Sequence, residues 1–205
     1  MAKIKLTKGE LKRQKDGLRQ FERYLPTLQL KKQQLQMEIL RQSATLGEKS
    51  SQELARRNAM LGWSGLLAEP GIDLRQLVRV SKIFTGKKNI AGVDLLVFER
   101  AEFIPAEYDL FVTPLWVDAA IEAIEHLVAL REEIAVLEKG ISILRQELRI
   151  TTQRVNLFEK VKIPEAEEAI RLIKIYLGDQ MTNAVGRCKI AKRKIEELVL
   201  EGAVA

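Results

Sequence analysis

The chain has 205 residues, 30% of them charged and only 5% aromatic, a mix that belongs to long helices and argues against a thick aromatic-rich globule. Its formal charge of +6 is uneven: residues 1–41 hold 11 Lys/Arg against four Asp/Glu, or +7, which leaves −1 for the rest. No apolar run approaches the roughly 18 residues needed to cross a bilayer, and Met1–Leu11 lacks the continuous apolar stretch of a signal peptide, so a soluble intracellular protein is expected.

In chain order, Thr7 followed by Glu10 predicts a capping box at the start of a first helical arm. A heptad seam then runs Leu11, Leu18, Phe21, Leu25, Leu28, Leu35, Ile39 and Leu46, interrupted at Gln14, Lys32 and Gln42. Leu30, Met37 and Leu40 add apolar surface beside it. The helix is expected to reach about Leu67, where Glu69-Pro70-Gly71 stops it, with a kink near Arg23–Pro26 because proline removes an internal hydrogen bond.

Residues 70–113 break that pattern. Two β-rich runs, Val78–Phe84 and Ile90–Phe98, flank Thr85-Gly86-Lys87-Lys88-Asn89 and read as a β-hairpin turning there. The segment is too small to fold alone, so it should form a head packed on the ends of the two arms. Trp63, Phe103, Tyr108, Phe111 and Trp116 are its candidate core or partner contacts.

Thr113-Pro114 opens the second arm, with proline expected in its first turn. From Ala120 to Phe158 the a positions read Ala120, Leu127, Ile134, Ile141, Leu148 and Val155. The d positions read Ala123, Leu130, Leu137, Leu144, Thr151 and Phe158, and only Thr151 is polar. A 3.5-residue repeat this long specifies a left-handed coiled coil about 60 Å in length. Ile163-Pro164 marks a kink or restart, and Glu165, Glu167 and Glu168 cap the helix that follows. That last helix carries Ile170, Ile173, Leu177, Ala184, Ala191 and Leu198, with a basic cluster from Arg187 to Lys194. If the ends are antiparallel neighbours, both basic clusters should meet at one tip.

The fold expected is therefore mainly α: a long antiparallel two-helix left-handed coiled coil with a small central head containing a β-hairpin. Its parts are an N-terminal coiled-coil arm (1–69), the head (70–113) and a C-terminal coiled-coil arm (114–205) kinked near 163–164.

Reactive constellations are missing. Thr85-Gly86-Lys87-Lys88 hints at a phosphate loop, but Ser81 stands where the first glycine should be and Lys88 replaces the hydroxyl residue. His126 is the only histidine, which excludes multi-histidine metal sites. Cys188 is the only cysteine, so no internal disulfide can form, and it reads as structural. No catalytic residue, cofactor site or metal site is expected, and the chain reads as no enzyme by itself.

The run Gln153-Arg154-Val155-Asn156-Leu157-Phe158-Glu159-Lys160-Val161-Lys162-Ile163-Pro164 resembles the Arg-Val-Asn-x-(Leu/Phe)-Glu-x-Val-x-Ile-Pro signature of the D subunit of V-type (vacuolar/archaeal-type) ATPases, most of all its bacterial versions. Leu28-Gln29-Leu30-Lys31-Lys32 and Asn89-Ile90-Ala91-Gly92-Val93 are similar to two further stretches of that family. The chain departs from it at Gln33-Gln34, where an arginine is usual, and at Asp179–Gly186. The resemblance implies a central rotor stalk that transmits torque between the catalytic hexamer and the membrane ion-translocating ring. It further implies A and B subunits around the paired terminal helices, the F subunit on the head, and the funnel-shaped C (d) subunit at the base. The place implied is the cytoplasmic face of the membrane, peripheral, with ATP synthesis or hydrolysis carried out by the ring and hydrogen ion transport by the membrane part. Two other readings fit the residues: a non-rotary coiled-coil adaptor, and a basic nucleic-acid-binding helical hairpin, although no groove-reading module accompanies its charge.

Overall fold

A computed structural model of the chain describes residues 5–68, 77–105, 108–109 and 113–202. The protein is mainly helical, with a long N-terminal helix, a long C-terminal helical stretch and an antiparallel β-hairpin between them. It divides into two compact units, one joining residues up to Gln29 with those from Thr152 onward, the other spanning Leu30–Thr151.

In the Leu30–Thr151 unit, helix α1 (Lys8–Leu61) runs beside helix α2 (Trp116–Leu157). The pairs Lys31–Glu147 (3.0 Å), Lys49–Glu133 (2.9 Å) and Glu53–Arg131 (3.9 Å) climb one helix while descending the other, so the two are antiparallel. The heptad spacing accounts for the packing. All of the a and d positions of α2 from Ala120 to Thr151 are buried or half-buried, with Ile141 and Leu144 closed off almost entirely. Burying a side chain of that size stabilises by about 1.5–3 kcal/mol, so this seam carries much of the unit's stability. Among the described residues no fully buried side-chain polar atom lacks a hydrogen-bond partner.

The α-helix stops at Leu61, short of the expected Leu67. Gly62 weakens it, the Trp63 N–H bonds back three residues to the Met60 carbonyl, and a 3₁₀ turn follows at Ser64–Ala68. Pro26 lies inside α1 without interrupting its helical assignment. Glu69-Pro70-Gly71 and Phe111 lie outside the described residues. Pro114 sits two residues before the first α-helical residue, its carbonyl accepting from the Val117 N–H at 3.1 Å.

The hairpin exists, but its turn does not fall at Thr85–Asn89. Strands β1 (Arg79–Ile90) and β2 (Val93–Ile104) pair antiparallel through Ile90↔Val93, and Ala91-Gly92 makes a two-residue turn with φ of 51° and 77°. Two positive φ values suit the twist of a hairpin. Asn89 holds the turn: its side-chain oxygen accepts from the Gly92 N–H (3.1 Å) and its amide donates to Asp94 (2.6 Å). The pairing skips Ser81 on one strand and Glu99 on the other, leaving two bulges.

Alternation places Val93 and Leu95 on one face, and that face packs with Leu35 and Leu144 into a buried cluster edged by Ile39, Ile90, Ala91 and Leu148. The turn end of the hairpin is therefore seated on the helix pair at Leu35 and Leu144, far along the helices from Leu61 and Trp116. The expectation of a head on the ends of the arms is corrected by this apolar face, which needs a flat helical partner to cover it.

In the other unit the first part of α1 packs with the last helix, α3 (Ile163–Gly202), and Phe21 meets Phe158 with ring centroids 5.3 Å apart. At Phe158–Lys162 the chain makes a π-helical turn, closed by the Ile163 N–H to the Phe158 carbonyl. A π turn takes up one residue more than an α turn. The consequence is visible in burial. An unbroken heptad would place Lys162, Glu165, Ala169 and Leu172 on the seam; of these only Ala169 is buried, whereas Ala166, Ile170 and Ile173 are buried and Ile163 and Leu177 half-buried, each one position later. The expected interruption at Ile163-Pro164 is thus a one-residue phase correction that returns the apolar side chains to the seam.

Candidate interaction surfaces

The start of α1 is capped on one side only. The Thr7 hydroxyl accepts from the Glu10 N–H (3.3 Å), but the Thr7 N–H donates to the Lys5 carbonyl, and Glu10 instead accepts from Gln14 (2.8 Å). Counting from the Phe21–Phe158 contact, Lys8 comes alongside roughly residue 172 at equal helical rise. The two basic clusters therefore do not meet at one tip: Arg187–Lys194 lies on the order of 20 Å farther along α3. Two of its members are satisfied within the helix, Lys192 by Glu196 (3.7 Å) and Arg193 by Glu197 (2.9 Å). From Gly178 to Glu197 every side chain is exposed, Ala184 and Ala191 included, and Gly186 is half-buried. Met181, Val185, Ile190 and Ile195 stand in solvent on this stretch.

The residues singled out for chemistry are scattered. Thr85-Gly86-Lys87-Lys88 lies in mid-strand, with no helix N-terminus to receive a phosphate. The Glu99 carboxylate lies over Gly86 and would come within 2.5 Å of an added Cβ. His126 is exposed on α2, 3.9 Å from Glu122, beside a hollow of about 300 Å³ between β2 and α2 lined by Phe98, Phe103 and Ala129. Cys188 is exposed. The larger hollow, about 550 Å³, is an open groove lined by α1 residues alone, from Gly9 to Phe21. Among the described residues no group of three or more His, Cys, Asp or Glu could hold a metal, and no helix is long and apolar enough to cross a membrane.

Among the described residues the perturbed ionisations fall in local pairs at the surface. The Tyr108 hydroxyl donates to Asp118, and that bond raises its pKa above the usual phenol range. Arg171 donates twice to Glu168, at 2.8 and 2.7 Å, which lowers the Glu168 pKa. Neither pair faces an enclosed cleft, so neither is poised as an acid or base. Of the caps expected on α3, Glu165 bonds Lys162 and Glu168 bonds Arg171.

What the fold does present is surface for other chains. Among the described residues the hairpin is a two-stranded sheet, so both outer edges keep backbone groups without a strand partner. On it, Phe84 is flanked by the Lys82 ammonium (4.9 Å) and its cross-strand partner Arg100 (4.7 Å), and Arg100 also pairs with Glu102 (2.8 Å). Trp63, Phe103, Tyr108 and Trp116 are each half-buried, covering part of the unit's core while leaving a face open. The Phe84 cluster went unseen in the sequence because it depends on which residues pair across the hairpin.

A model of the family described as the ATP synthase D subunit matches residues 10–193. The V-type ATP synthase D subunit of Borreliella burgdorferi is 45% identical over 195 residues, covering 95% of this chain and 96% of its own length. The protein of the same name from Chlamydia pneumoniae is 33% identical over 94% of this chain and 93% of its own length. That from Chlamydia trachomatis serovar L2 is 32% identical over 96% of this chain and 98% of its own length. The match spans both ends of the helical seam as well as the hairpin, and this chain belongs to the family of ATP synthase D subunits.

Proposed function

We propose that this chain is the central stalk subunit of a V-type rotary ATP synthase, a non-catalytic part that carries torque between the nucleotide-binding hexamer and the ion-translocating membrane ring. The observation that carries this reading is family membership over nearly the whole length, joined to an antiparallel helix pair with a continuous buried seam. A torque-bearing rod needs stiffness. Interdigitated Ile and Leu side chains with cross-helix ion pairs supply it, because twisting one helix past the other would unpack the seam.

Its partners are the other subunits of that complex. In the finer assignment, the exposed stretch of α3 beyond Leu177, slim at Gly178, Ala184 and Gly186, turns inside the sleeve formed by the A and B subunits. The F subunit sits on the hairpin head, and the funnel-shaped C (d) subunit receives the base, all on the cytoplasmic face. The division into arms at 1–69 and 114–205 and a head at 70–113 is then a division between rod and docking platform. The self-paired Lys192 and Arg193 speak against the nucleic-acid reading, since half-neutralised cations release few counterions.

The test is to purify the chain with its companions from its own cells and truncate it after Gly178. A nucleotide-binding hexamer should accompany the full chain, and the truncated form should hydrolyse ATP with weakened coupling to ion transport. Recovery without any hexamer, or coupling untouched by the truncation, would sink the assignment.

A further inference from the structure

The two edges of the hairpin are not equivalent. On β2 the pairing skips Glu99, so that edge is bent in its middle, and Asp94 and Glu102 are already engaged by Asn89 and Arg100. On β1 the skipped residue, Ser81, lies near the start of the strand, and every residue from Lys82 to Ile90 has a partner across the hairpin. That leaves a regular edge about 30 Å long. Its direction can be read from the turn. Ile90 and Val93 flank a two-residue turn and exchange both backbone bonds, and the pairs alternate from there, so Asn89, Lys87 and Thr85 point their N–H and C=O away from β2. Among the described residues no backbone bond from outside the hairpin reaches them. The charge on this edge is of one sign. β1 holds Arg79, Lys82, Lys87 and Lys88 and no Asp or Glu, all four are exposed, and none has an ion-pair partner among the described residues.

We propose that the outer edge of β1 is completed by an acidic β-strand from another subunit of the complex, laid alongside Lys82–Ile90. The inference rests on the stalk reading above and supplies the chemistry of what the hairpin holds. Main-chain bonds to Thr85, Lys87 and Asn89 give the affinity of such an added strand, and the lysines give its specificity. Side-chain alternation fixes where the acids of the partner stand. Lys82 and Lys88 share the face that carries Phe84, over whose ring Lys82 lies 4.9 Å from the centroid, while Lys87 lies on the opposite face. The incoming strand therefore carries neighbouring Asp or Glu residues opposite Lys87 and Lys88, one on each face, and a further acid toward its other end, beside Lys82. Opposite charges set directly across a strand pair are favourable, and like charges are not. Two competitors fit less well. A second copy of this chain brings either the same four cations or its own β2 edge, bent at Glu99. A nucleic-acid backbone answers the charge but has no alternating N–H and C=O groups to pair with the strand.

The experiment is photo-crosslinking in the intact V-type complex, with benzoylphenylalanine placed in turn at Thr85, at Lys87 and, as a control on the other strand, at Leu96. Thr85 and Lys87 should label neighbouring positions of one extended, acid-bearing segment of another subunit, at least about five-fold above the control. Labelling of a helix, of a segment without acids, of a second copy, or of nothing in a complex that keeps its hexamer overturns the added strand and leaves the stalk reading standing. A chain recovered without a hexamer sinks both. As a second arm, Lys87→Pro removes an N–H that faces away from β2, so it should abolish the labelling from Thr85 while shifting the melting temperature of the isolated chain by no more than about 2 °C. A drop of many degrees would show that this N–H belongs to the hairpin's own ladder and end the proposal. Lys82→Gln with Lys88→Gln keeps the edge and removes its charge. It should cut the labelling from Thr85 at least about three-fold, and undiminished labelling would show that acids play no part in the recognition.

Discussion

Two helical stretches of this chain differ sharply. Between Ala120 and Thr151 the seam is filled mainly by Ile and Leu, bridged by ion pairs and covered toward its Thr151 end by the hairpin tip. Beyond Leu177 the heptad continues in Ala184 and Ala191, but these side chains stand in solvent. The spacing is alike in both, so spacing alone does not decide burial. What decides it is whether an opposing helix is there: α1 begins at Lys8 and comes alongside α3 only to about residue 172, so among the described residues nothing packs on the stretch beyond Leu177. One part has its apolar row covered within the chain, the other leaves it in solvent.

The largest effect should come from charging the filled part. Ile141→Asp puts an unpaired carboxylate into a site only 4% exposed and should cost about 4 kcal/mol, whereas Val185→Asp on the bare part should cost under about 0.5 kcal/mol. Urea melts of both variants read the contrast, and equal midpoints would erase it. Next comes the phase correction. Inserting one alanine after Lys162 rotates the apolar residues of α3 off the seam and should destabilise by about 2–3 kcal/mol. Deleting Glu159 instead lets a plain α turn carry the same residues back onto it and should cost under about 1 kcal/mol. Identical losses for insertion and deletion would show that the π turn plays no part in register.

A smaller effect is expected for Lys49→Ala, which removes a partly exposed pair with Glu133 and should cost about 0.5 kcal/mol, less at high salt. The least is at Glu168. Arg171 lowers its folded-state pKa, so the pair's contribution is present at neutral pH and fades as acid protonates the carboxylate. Arg171→Gln should return the Glu168 titration, followed by NMR, to the ordinary carboxylate range, and an unmoved midpoint would remove the pair as its cause.

Much of this was legible before any fold was seen, for reasons that differ by region. The α2 seam could be read because each heptad position is decided locally, and even Thr151 takes its place in the buried row. The hairpin could be foreseen but not its turn. Thr85–Asn89 holds strong turn formers, yet the pairing runs through them because burial of Val93 and Leu95 on Leu35 and Leu144 sets the register. The bulges at Ser81 and Glu99 follow from that non-local constraint. Ile163-Pro164 advertised an interruption, while its nature as a phase shift lay in the spacing of Ile163, Ile170 and Leu177 relative to Val155. The Phe84 cluster and the covered length of α3 depend on contacts between distant segments, which no local pattern encodes.

The open edges of the hairpin bear on how this protein survives at high concentration. An unpaired strand is a template on which another copy can assemble into aggregates. Here β1 carries Arg79, Lys82, Lys87 and Lys88 and no acid, so two copies meeting along that edge repel one another. The kinks at Ser81 and Glu99 also spoil the flatness such stacking requires. The exposed hairpin is thus kept from pairing with further copies of itself.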